Sequence, residues 1–248
     1  MPFFGPEMGW GARKTNWNPW ADLADLFYPR ICACGQAVLQ LPGAYVCTDC
    51  LKQFVPTGFG SQLASNALAL RFPADLPLVG AYAPWWFRKE GRLQQHIFQL
   101  KYGQQARIGQ QLGRQLAAGL AGYPFLQQAT LVPVPLHPLR YRRRGYNQSL
   151  HIARGIRQQL QLPIADRLVA RSRNTVSQTG LNRAQRQENV RDLFVVRGPA
   201  PRLVWIVDDV ITTGATTTSL ARALVAAGTQ ALFISGLALA EEDGFQGV

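Results

Sequence analysis

The sequence is short of acidic residues and of lysine. Its 248 residues contain 14 Asp and Glu against 26 Lys and Arg, and only four of those 26 are lysines. The imbalance is local, because residues 91–187 hold fifteen basic residues and one acid, Asp166, whereas the rest of the chain holds 11 basic and 13 acidic residues. Such a block is either an ordinary soluble basic surface or a binding surface for a polyanion, either diphosphate or nucleic acid. We favour the polyanion.

Long apolar runs are also missing. A hydrophobic content of 47% is enough for a packed core,, but no run approaches the roughly 20 apolar residues of a membrane span. The longest run, residues 231–240, is interrupted by Ser235 and Gly236. The N-terminus has no apolar segment of the kind that a signal peptide needs. We therefore expect no membrane insertion and a cytoplasmic protein.

Cysteine is scarce, and all of it is in one place. The four cysteines form two pairs, Cys32-Ala33-Cys34 and Cys47-Thr48-Asp49-Cys50, with twelve residues between them. In a cytosolic chain this arrangement is typical of a small zinc ribbon rather than of disulfides, and four thiolates would close the shell of a structural zinc ion. The first pair is C-x-C where a zinc knuckle usually has C-x-x-C. A lost site and a reactive thiol pair are therefore the alternatives.

Two common nucleotide-binding signatures are absent. A P-loop requires G-x-x-x-x-G-K-[ST], but Lys14-Thr15 is preceded by Arg13 where that loop has glycine,. No G-x-G-x-x-G run follows a first strand, as a dinucleotide-binding fold would require. These absences exclude the P-loop triphosphatases and the dinucleotide-dependent oxidoreductases.

The most informative segment present is residues 203–216. Five apolar residues run directly into Asp208 and Asp209, which indicates a buried strand, and helical spacing from Thr217 to Ala227 indicates a helix,. The loop between them is rich in hydroxyl groups and contains Gly214, which lets the backbone approach a phosphate at the helix N-terminus. The two carboxylates would repel that phosphate, so they face sugar hydroxyls or a metal ion.

A second segment predicts a ligand-binding loop. Residues 131–135 form a short strand that ends in alternating prolines, and a rigid loop at the carboxyl end of a strand is where ligands bind in open α/β sheets,. Asn147 then caps a helix that runs to about Leu160. Tyr141 and Tyr146 are candidate stacking platforms for nucleic-acid bases. Four arginines beside them are candidates to bind diphosphate or nucleic acid: Arg140, Arg142, Arg143 and Arg144,.

Residues 171–191 are polar, basic and nearly free of bulky apolar side chains. They lie between two predicted strands, residues 168–170 and Phe194 to Val196. A long loop of this kind is either disordered or an active-site lid, and we favour the lid.

Taken together, these segments resemble the ComF family, whose phosphoribosyltransferase-like domain carries an N-terminal zinc ribbon. The resemblance covers roughly residues 22–240, and its one departure is the C-x-C pair. The features that carry it occur in order along the chain: Leu26-Phe27-Tyr28-Pro29, the four cysteines, Lys101-Tyr102-Gly103, Pro133-Val134-Pro135-Leu136-His137-Pro138, Arg144-Gly145-Tyr146-Asn147-Gln148, the series from Arg171 to Phe194, and the Asp208–Thr216 loop.

The resemblance implies an α/β fold of the type I phosphoribosyltransferase (Rossmann-like) class, with about five parallel strands, helices on both faces and a small N-terminal zinc-ribbon-like module. It also implies the domain limits. These are a poorly ordered segment 1–21, a zinc-ribbon-like module 22–56, a linker 57–78, the phosphoribosyltransferase-like domain 79–240 and a tail 241–248.

The resemblance further implies a site for phosphoribosyl diphosphate (PRPP) with Mg²⁺. Asp208 and Asp209 would hold the ribose hydroxyls, and Arg171 and Arg186 would neutralise the leaving diphosphate. The remaining PRPP-binding residues would be Thr212, Thr213, Gly214, Ala215 and Thr216 around the 5′-phosphate, with Pro133, Val134, Pro135 and Lys101 near the diphosphate. Structural Zn²⁺ would be held by Cys32, Cys34, Cys47 and Cys50.

The resemblance does not name a phosphoribosyl acceptor. The first hypothesis is a phosphoribosyltransferase that acts on an unknown acceptor and supports DNA uptake in natural transformation. The alternative is a non-catalytic accessory of the competence machinery that senses PRPP or binds single-stranded DNA. Single-stranded DNA and helicase-type competence proteins are the partners that this alternative implies.

Overall fold

Strands β6, Leu203–Ile211, and β7, Ala231–Ala240, form the middle of a parallel sheet. The computed structural model describes residues 31–39, 43–171 and 193–241. Strand β3, Thr130–Pro133, pairs with β6, and β1, Leu78–Tyr82, pairs with β7. Strand β2, Trp85–Phe87, continues along β7 beyond β1. All five strands are parallel, which confirms the predicted α/β class.

The described helices connect and flank these strands. Helix α5, Gln148–Leu160, is capped by Asn147, whose side chain accepts a hydrogen bond from the Ser149 N–H at 3.0 Å, which confirms the predicted cap,. The helices are α1 Thr48–Gln53, α2 Arg92–Tyr102, α3 Ala106–Ala118, α4 Pro138–Arg144, α5 Gln148–Leu160 and α6 Ala215–Ala226. None of the helices in the described residues has the length and apolar character that crossing a bilayer requires.

The sheet is covered on both faces because its side chains alternate between them. Trp205, Val207 and Phe233 point into one core, which they share with helices α2, α3 and α5. Val204 and Ile206 point into the other core, together with helix α6. This two-sided burial explains why residues 203–207 are almost continuously apolar.

Helices α3 and α5 approach each other closely at two glycines. A Cβ atom on Gly113 would lie 2.2 Å from the Ile152 carbonyl oxygen, and one on Gly155 would lie 2.1 Å from the Gln110 carbonyl oxygen. Both obstacles are backbone atoms, which cannot move aside without shifting a helix. The contact therefore fixes α5, whose first residues enter the pocket described below.

Substituting Gly113 should consequently destabilise the fold. We expect Gly113→Ala to lower the free energy of unfolding by about 1–3 kcal/mol, the usual cost of overpacking a core. Urea denaturation followed by circular dichroism measures this. The control is Gly122→Ala, because nothing lies within 4 Å of a Cβ atom there. Equal stabilities of the two variants would contradict the close helix contact.

A separate two-stranded antiparallel ribbon lies outside the main sheet. It consists of β4, Val169–Arg171, and β5, Phe194–Val196. The two predicted strands are thus present, the first shifted by one residue. Residues 172–192 between them lie outside the described residues, so the predicted lid and Arg186 receive no structural account.

The cysteine-containing segment shares a core with the main domain. Val46, Cys50 and Phe54 are buried in the same cluster as the apolar residues of α2 and α3. Gln111 of α3 binds this segment by accepting hydrogen bonds from the N–H groups of Tyr45, at 2.6 Å, and of Val46, at 2.9 Å. Its amide nitrogen donates in turn to the Val46 carbonyl at 3.0 Å. Residues 1–30 and 242–248, which include the predicted terminal segments, lie outside the described residues.

Candidate functional site

A cavity of about 260 Å³ lies at the carboxyl ends of strands β3 and β6. Two carboxylates and several cationic side chains line it. They come from α2, from the loop after β3, from α4 and α5, from the end of β4, and from the last residues of β6 with the start of α6. The polar lining residues are Lys101, Arg140, Arg144, Gln148, Ser149, Arg171, Asp208, Asp209 and Thr216. The predicted position of the site at this edge of the sheet agrees with this cavity.

The two aspartates lie within strand β6 rather than after it. The Asp208 carboxylate accepts hydrogen bonds from the Ser149 hydroxyl, at 3.2 Å, and from the Asp209 N–H, at 2.8 Å. The Asp209 carboxylate forms an ion pair with the Lys101 ammonium, 3.2 Å away. Lys101 reaches it from the last turn of α2. The site therefore joins residues that are more than a hundred positions apart in the chain.

The Asp208 carboxyl group is strongly affected by its surroundings. Burial and the negative charge of Asp209 raise the pKa of Asp208 to about 7, and hydrogen bonds from the Asp209 N–H and Ser149, with the charge of Lys101, offset only part of this rise,. Near neutral pH, Asp208 therefore exchanges between a carboxylate and a carboxyl group. A pair of this kind suits a ligand that offers hydroxyl donors.

The cationic side of the cavity contains unpartnered donors. The guanidinium of Arg171 lies 5.7 Å above the centre of the Phe194 ring. Burial and the positive charge of Arg140 lower the pKa of Arg171, against the opposing effect of Asp208. Within the described residues, Arg171 Nε and Gln148 Nε2 are buried and have no hydrogen-bond partner. Leaving a buried donor unpaired costs about 1–3 kcal/mol, so both atoms indicate a ligand rich in acceptor oxygens.

Only some residues of the two predicted PRPP-binding loops line the cavity. Val134 and Pro135 line the cavity, whereas Pro133 is the buried last residue of β3. In the second loop Thr216 lines the cavity, and three of its other members are exposed: Thr212, Thr213 and Ala215.

Gly214, directly before α6, has a left-handed backbone conformation. Its φ angle is +76°, and an added Cβ would lie 3.2 Å from Cε1 of Phe72,. The guanidinium of Arg71 holds this loop by donating to the Thr212 carbonyl oxygen and, at 3.0 Å, to that of Ala240. No local sequence pattern marks Arg71, because its role depends on contacts with distant residues.

The four predicted arginines divide into two pairs. Arg140 and Arg144 line the cavity, whereas Arg142 and Arg143 are exposed and lie outside its lining. The prediction that Tyr146 forms a stacking platform is not supported, because its hydroxyl donates to the Leu100 carbonyl at 2.6 Å and its ring packs edge-on against the His151 ring.

The four cysteines are brought together as predicted. Their Sγ atoms all lie within 4.8 Å of one another, and those of Cys32 and Cys50 are 3.9 Å apart. Zinc–sulfur bonds of about 2.3 Å in a tetrahedron place sulfurs about 3.8 Å apart, so the thiol set fits a zinc ion. The N–H of Cys47 donates to the Cys32 sulfur at 3.3 Å, and that of Cys50 donates to the Cys47 sulfur at 3.4 Å. The C-x-C pair therefore still presents both of its sulfurs to a common centre.

His96 is a further residue at the cysteine cluster. It is buried, and its Nε2 lies 3.2 Å from the Cys32 sulfur while its Nδ1 lies 2.7 Å from the Arg92 carbonyl oxygen. Its position on the apolar face of α2, beside Leu93 and Ile97, was the available signal in the sequence. Because α2 also carries Lys101, one helix contacts both the cysteine cluster and the pocket.

The fold and its pocket define a class: a parallel α/β protein with a charged ligand site at the carboxyl edge of the sheet and a four-thiol cluster. Comparison with known proteins is consistent with this. No family model matches the chain. Over 114 residues it is 36% identical to competence protein F of Haemophilus influenzae, covering 44% of this chain and 50% of that protein. Over 143 residues it is 32% identical to the DNA utilization protein YhgH of Escherichia coli, covering 55% and 62%.

These matches confirm the predicted resemblance to the ComF-type proteins, and the chain spans between half and two thirds of the relatives' lengths. A solved structure of a hypoxanthine phosphoribosyltransferase from Staphylococcus aureus is 14% identical, with a TM-score of 0.31 over 55% of this chain and 74% of that one.

Proposed function

We propose that this chain binds PRPP with Mg²⁺ in the cavity and transfers its phosphoribosyl group to an acceptor, with release of diphosphate, in the cytoplasm. The observation that carries this proposal is the pairing of two carboxylates with unpartnered buried donors, Arg171 Nε and Gln148 Nε2, in one cavity. PRPP offers hydroxyl groups to the carboxylates and anionic oxygens to the donors. The two sides of the cavity are thus matched to the two kinds of group on one ligand.

Different residues would bind different groups of PRPP. Asp208 and Asp209 accept hydrogen bonds from the ribose hydroxyls, and the loop from Thr212 to Thr216 presents its N–H groups and hydroxyls to the 5′-phosphate. Arg140, Arg144 and Arg171 line the cavity and would bind the diphosphate. Lys101 balances the charge of Asp209.

The same residues favour departure of diphosphate. As the bond to the ribose C1 breaks, positive charge grows on the sugar ring and negative charge grows on the diphosphate. The two aspartates stabilise the first, and the arginines stabilise the second. When bound, Mg²⁺ would neutralise part of the diphosphate charge.

A diphosphate-release assay tests this proposal. Wild-type protein with PRPP and Mg²⁺ should release diphosphate when candidate acceptors are supplied, and Arg171→Gln should release it at least about tenfold more slowly, because a charged hydrogen bond is lost. Arg167→Gln is a matched control, since Arg167 is exposed and lies outside the cavity lining. Equal rates for wild type and Arg171→Gln would contradict the assigned role.

A second candidate function is supported by the basic block and by the relatives' names. Fifteen basic residues against one acid in residues 91–187 suit a nucleic-acid partner,, and the relatives are described as competence and DNA utilization proteins. In this version the chain is an accessory of DNA uptake that senses PRPP or binds single-stranded DNA, together with a helicase-type competence protein. It would release no diphosphate from PRPP under any acceptor condition.

PRPP binding should depend on pH through Asp208. Because burial and Asp209 raise the pKa of Asp208 to about 7, the hydrogen-bond-accepting carboxylate is the minor form below that pH and the major form above it. Affinity for PRPP should therefore rise by about tenfold between about pH 6 and about pH 8. Titration calorimetry at several pH values measures this.

The Asp208→Asn variant is the control for that titration. Its asparagine side chain does not titrate, whereas the phosphates of PRPP titrate as they do with wild type. The wild-type curve should be steeper than the variant curve in this range. Parallel curves would show that Asp208 does not titrate in the binding site.

A further inference from the structure

An exposed pair of aromatic rings lies on α2, next to the cavity. Phe98 and Tyr102 are four residues apart, on one face of the helix, and are 57% and 48% exposed,. Their ring centres are 5.0 Å apart, with the planes inclined at 49°. Two large rings that remain this exposed contribute little to the core, so they form a surface that is open to a partner.

Two arginines from α4 cover one of these rings. The guanidinium groups of Arg143 and Arg144 lie 5.7 Å and 5.0 Å from the centre of the Tyr102 ring. Arg144 also donates to the Tyr102 hydroxyl at 3.2 Å. We call Phe98, Tyr102, Arg143 and Arg144 the aromatic–arginine platform. Because Arg144 also lines the cavity, the platform is continuous with the pocket.

The aromatic rings and guanidinium groups of the platform indicate which class of ligand it binds. Aromatic rings offer flat faces on which bases stack, and guanidinium groups bind phosphates and stack on bases. The surrounding residues 91–187 hold one acid against fifteen basic residues, so a polyanion is favoured over an ordinary protein surface,. Only an unpaired strand offers both free base faces and a phosphate backbone, since a duplex keeps its base faces stacked inside.

We propose that the aromatic–arginine platform binds single-stranded nucleic acid by stacking an unpaired base on the exposed ring of Phe98, while Arg143 and Arg144, which lie against Tyr102, contact the adjacent phosphates. This rests on the nucleic-acid role proposed above and gives it a location, beside the pocket at the end of α2. The sequence suggested Tyr141 and Tyr146 for this role. Tyr141 is exposed, whereas the Tyr146 hydroxyl is bonded inside the protein.

Fluorescence anisotropy with a labelled oligothymidylate tests the platform. The Phe98→Leu, Tyr102→Leu double variant should bind about 5- to 150-fold more weakly for each base it no longer stacks. Its dependence on salt should remain that of wild type, because no charge has been removed. Arg143→Gln should instead flatten the salt dependence by about 0.7 per lost phosphate contact.

Three controls separate stacking from other causes. Tyr102→Phe keeps the ring and loses only the hydroxyl, so it should bind almost as well as wild type. Phe125→Leu removes an exposed ring that lies before β3, at the opposite end of that strand from the pocket, and should leave affinity unchanged. An abasic oligonucleotide should bind wild type and the Phe98→Leu, Tyr102→Leu variant equally.

The outcomes are distinguishable. If wild type binds the oligonucleotide and the double variant binds it equally well, the platform is overturned while the nucleic-acid role stands. If wild type shows no binding even at low salt, both the platform and direct nucleic-acid contact are overturned. PRPP titration of the same variants reports separately on the cavity, because Phe98 and Tyr102 lie outside its lining.

Discussion

The Asp208→Asn, Asp209→Asn double variant should bind PRPP at least about 100-fold more weakly than wild type, because each charged acceptor of a ribose hydroxyl contributes about 1.5–3 kcal/mol. The folded state should survive, since both substitutions keep the shape of the side chains. They also remove the repulsion between two neighbouring carboxylates that raises the pKa of Asp208. Titration calorimetry in the presence of Mg²⁺ measures the affinity, and thermal unfolding verifies the fold.

Asp166→Asn is the matched control for this variant. Asp166 is the one acid in the basic block and is exposed, away from the cavity lining. It should bind PRPP as wild type does. If the double variant is folded and binds PRPP with wild-type affinity, the acidic pair is not part of the binding site.

Cys47→Ser should abolish stoichiometric zinc binding and disorder the segment around the cysteines. The Cys47 sulfur is one of four that all lie within 4.8 Å of one another. It accepts the Cys50 N–H, and the Cys47 N–H donates to the Cys32 sulfur. Binding of zinc to such a site is coupled to folding, and its loss removes several kcal/mol of local stability. Metal analysis of purified wild type should give close to one zinc per chain.

Thr48→Ala is the control for this second prediction. Thr48 is the exposed neighbour of Cys47 on α1, and its substitution should leave zinc content unchanged. Amide hydrogen exchange should show lost protection in residues 31–54 of Cys47→Ser only. A wild-type preparation that is fully folded and free of zinc would instead show that the C-x-C pair no longer supports a metal site.

The sequence predicted those parts of the fold that depend on local patterns. The strand that runs into Asp208, the helix after Gly214 and the cap at Asn147 each follow from residues within a few positions of one another. The cysteine cluster was predictable for a different reason, since thiols at such spacing have few other roles in a reducing compartment. In each case one local chemical constraint leaves few alternatives.

The remaining features depend on contacts between distant residues. The ion pair of Lys101 with Asp209 and the contact of His96 with Cys32 arise because α2 packs between the pocket and the cysteine segment. No local sequence pattern predicts how α2 packs. Phe98 and Tyr102 were missed for a related reason: exposure of an aromatic residue is decided by which helix covers it. Tyr146 was misassigned because its neighbouring arginines suggested exposure.

Titration of PRPP into zinc-loaded wild-type protein by calorimetry, with and without Mg²⁺, tests the central claim most directly. We expect one saturable site per chain, binding that is strengthened by Mg²⁺, and loss of the signal when the Asp208→Asn, Asp209→Asn variant replaces wild type. Absence of PRPP binding by folded, zinc-loaded wild type in the presence of Mg²⁺ would contradict the account.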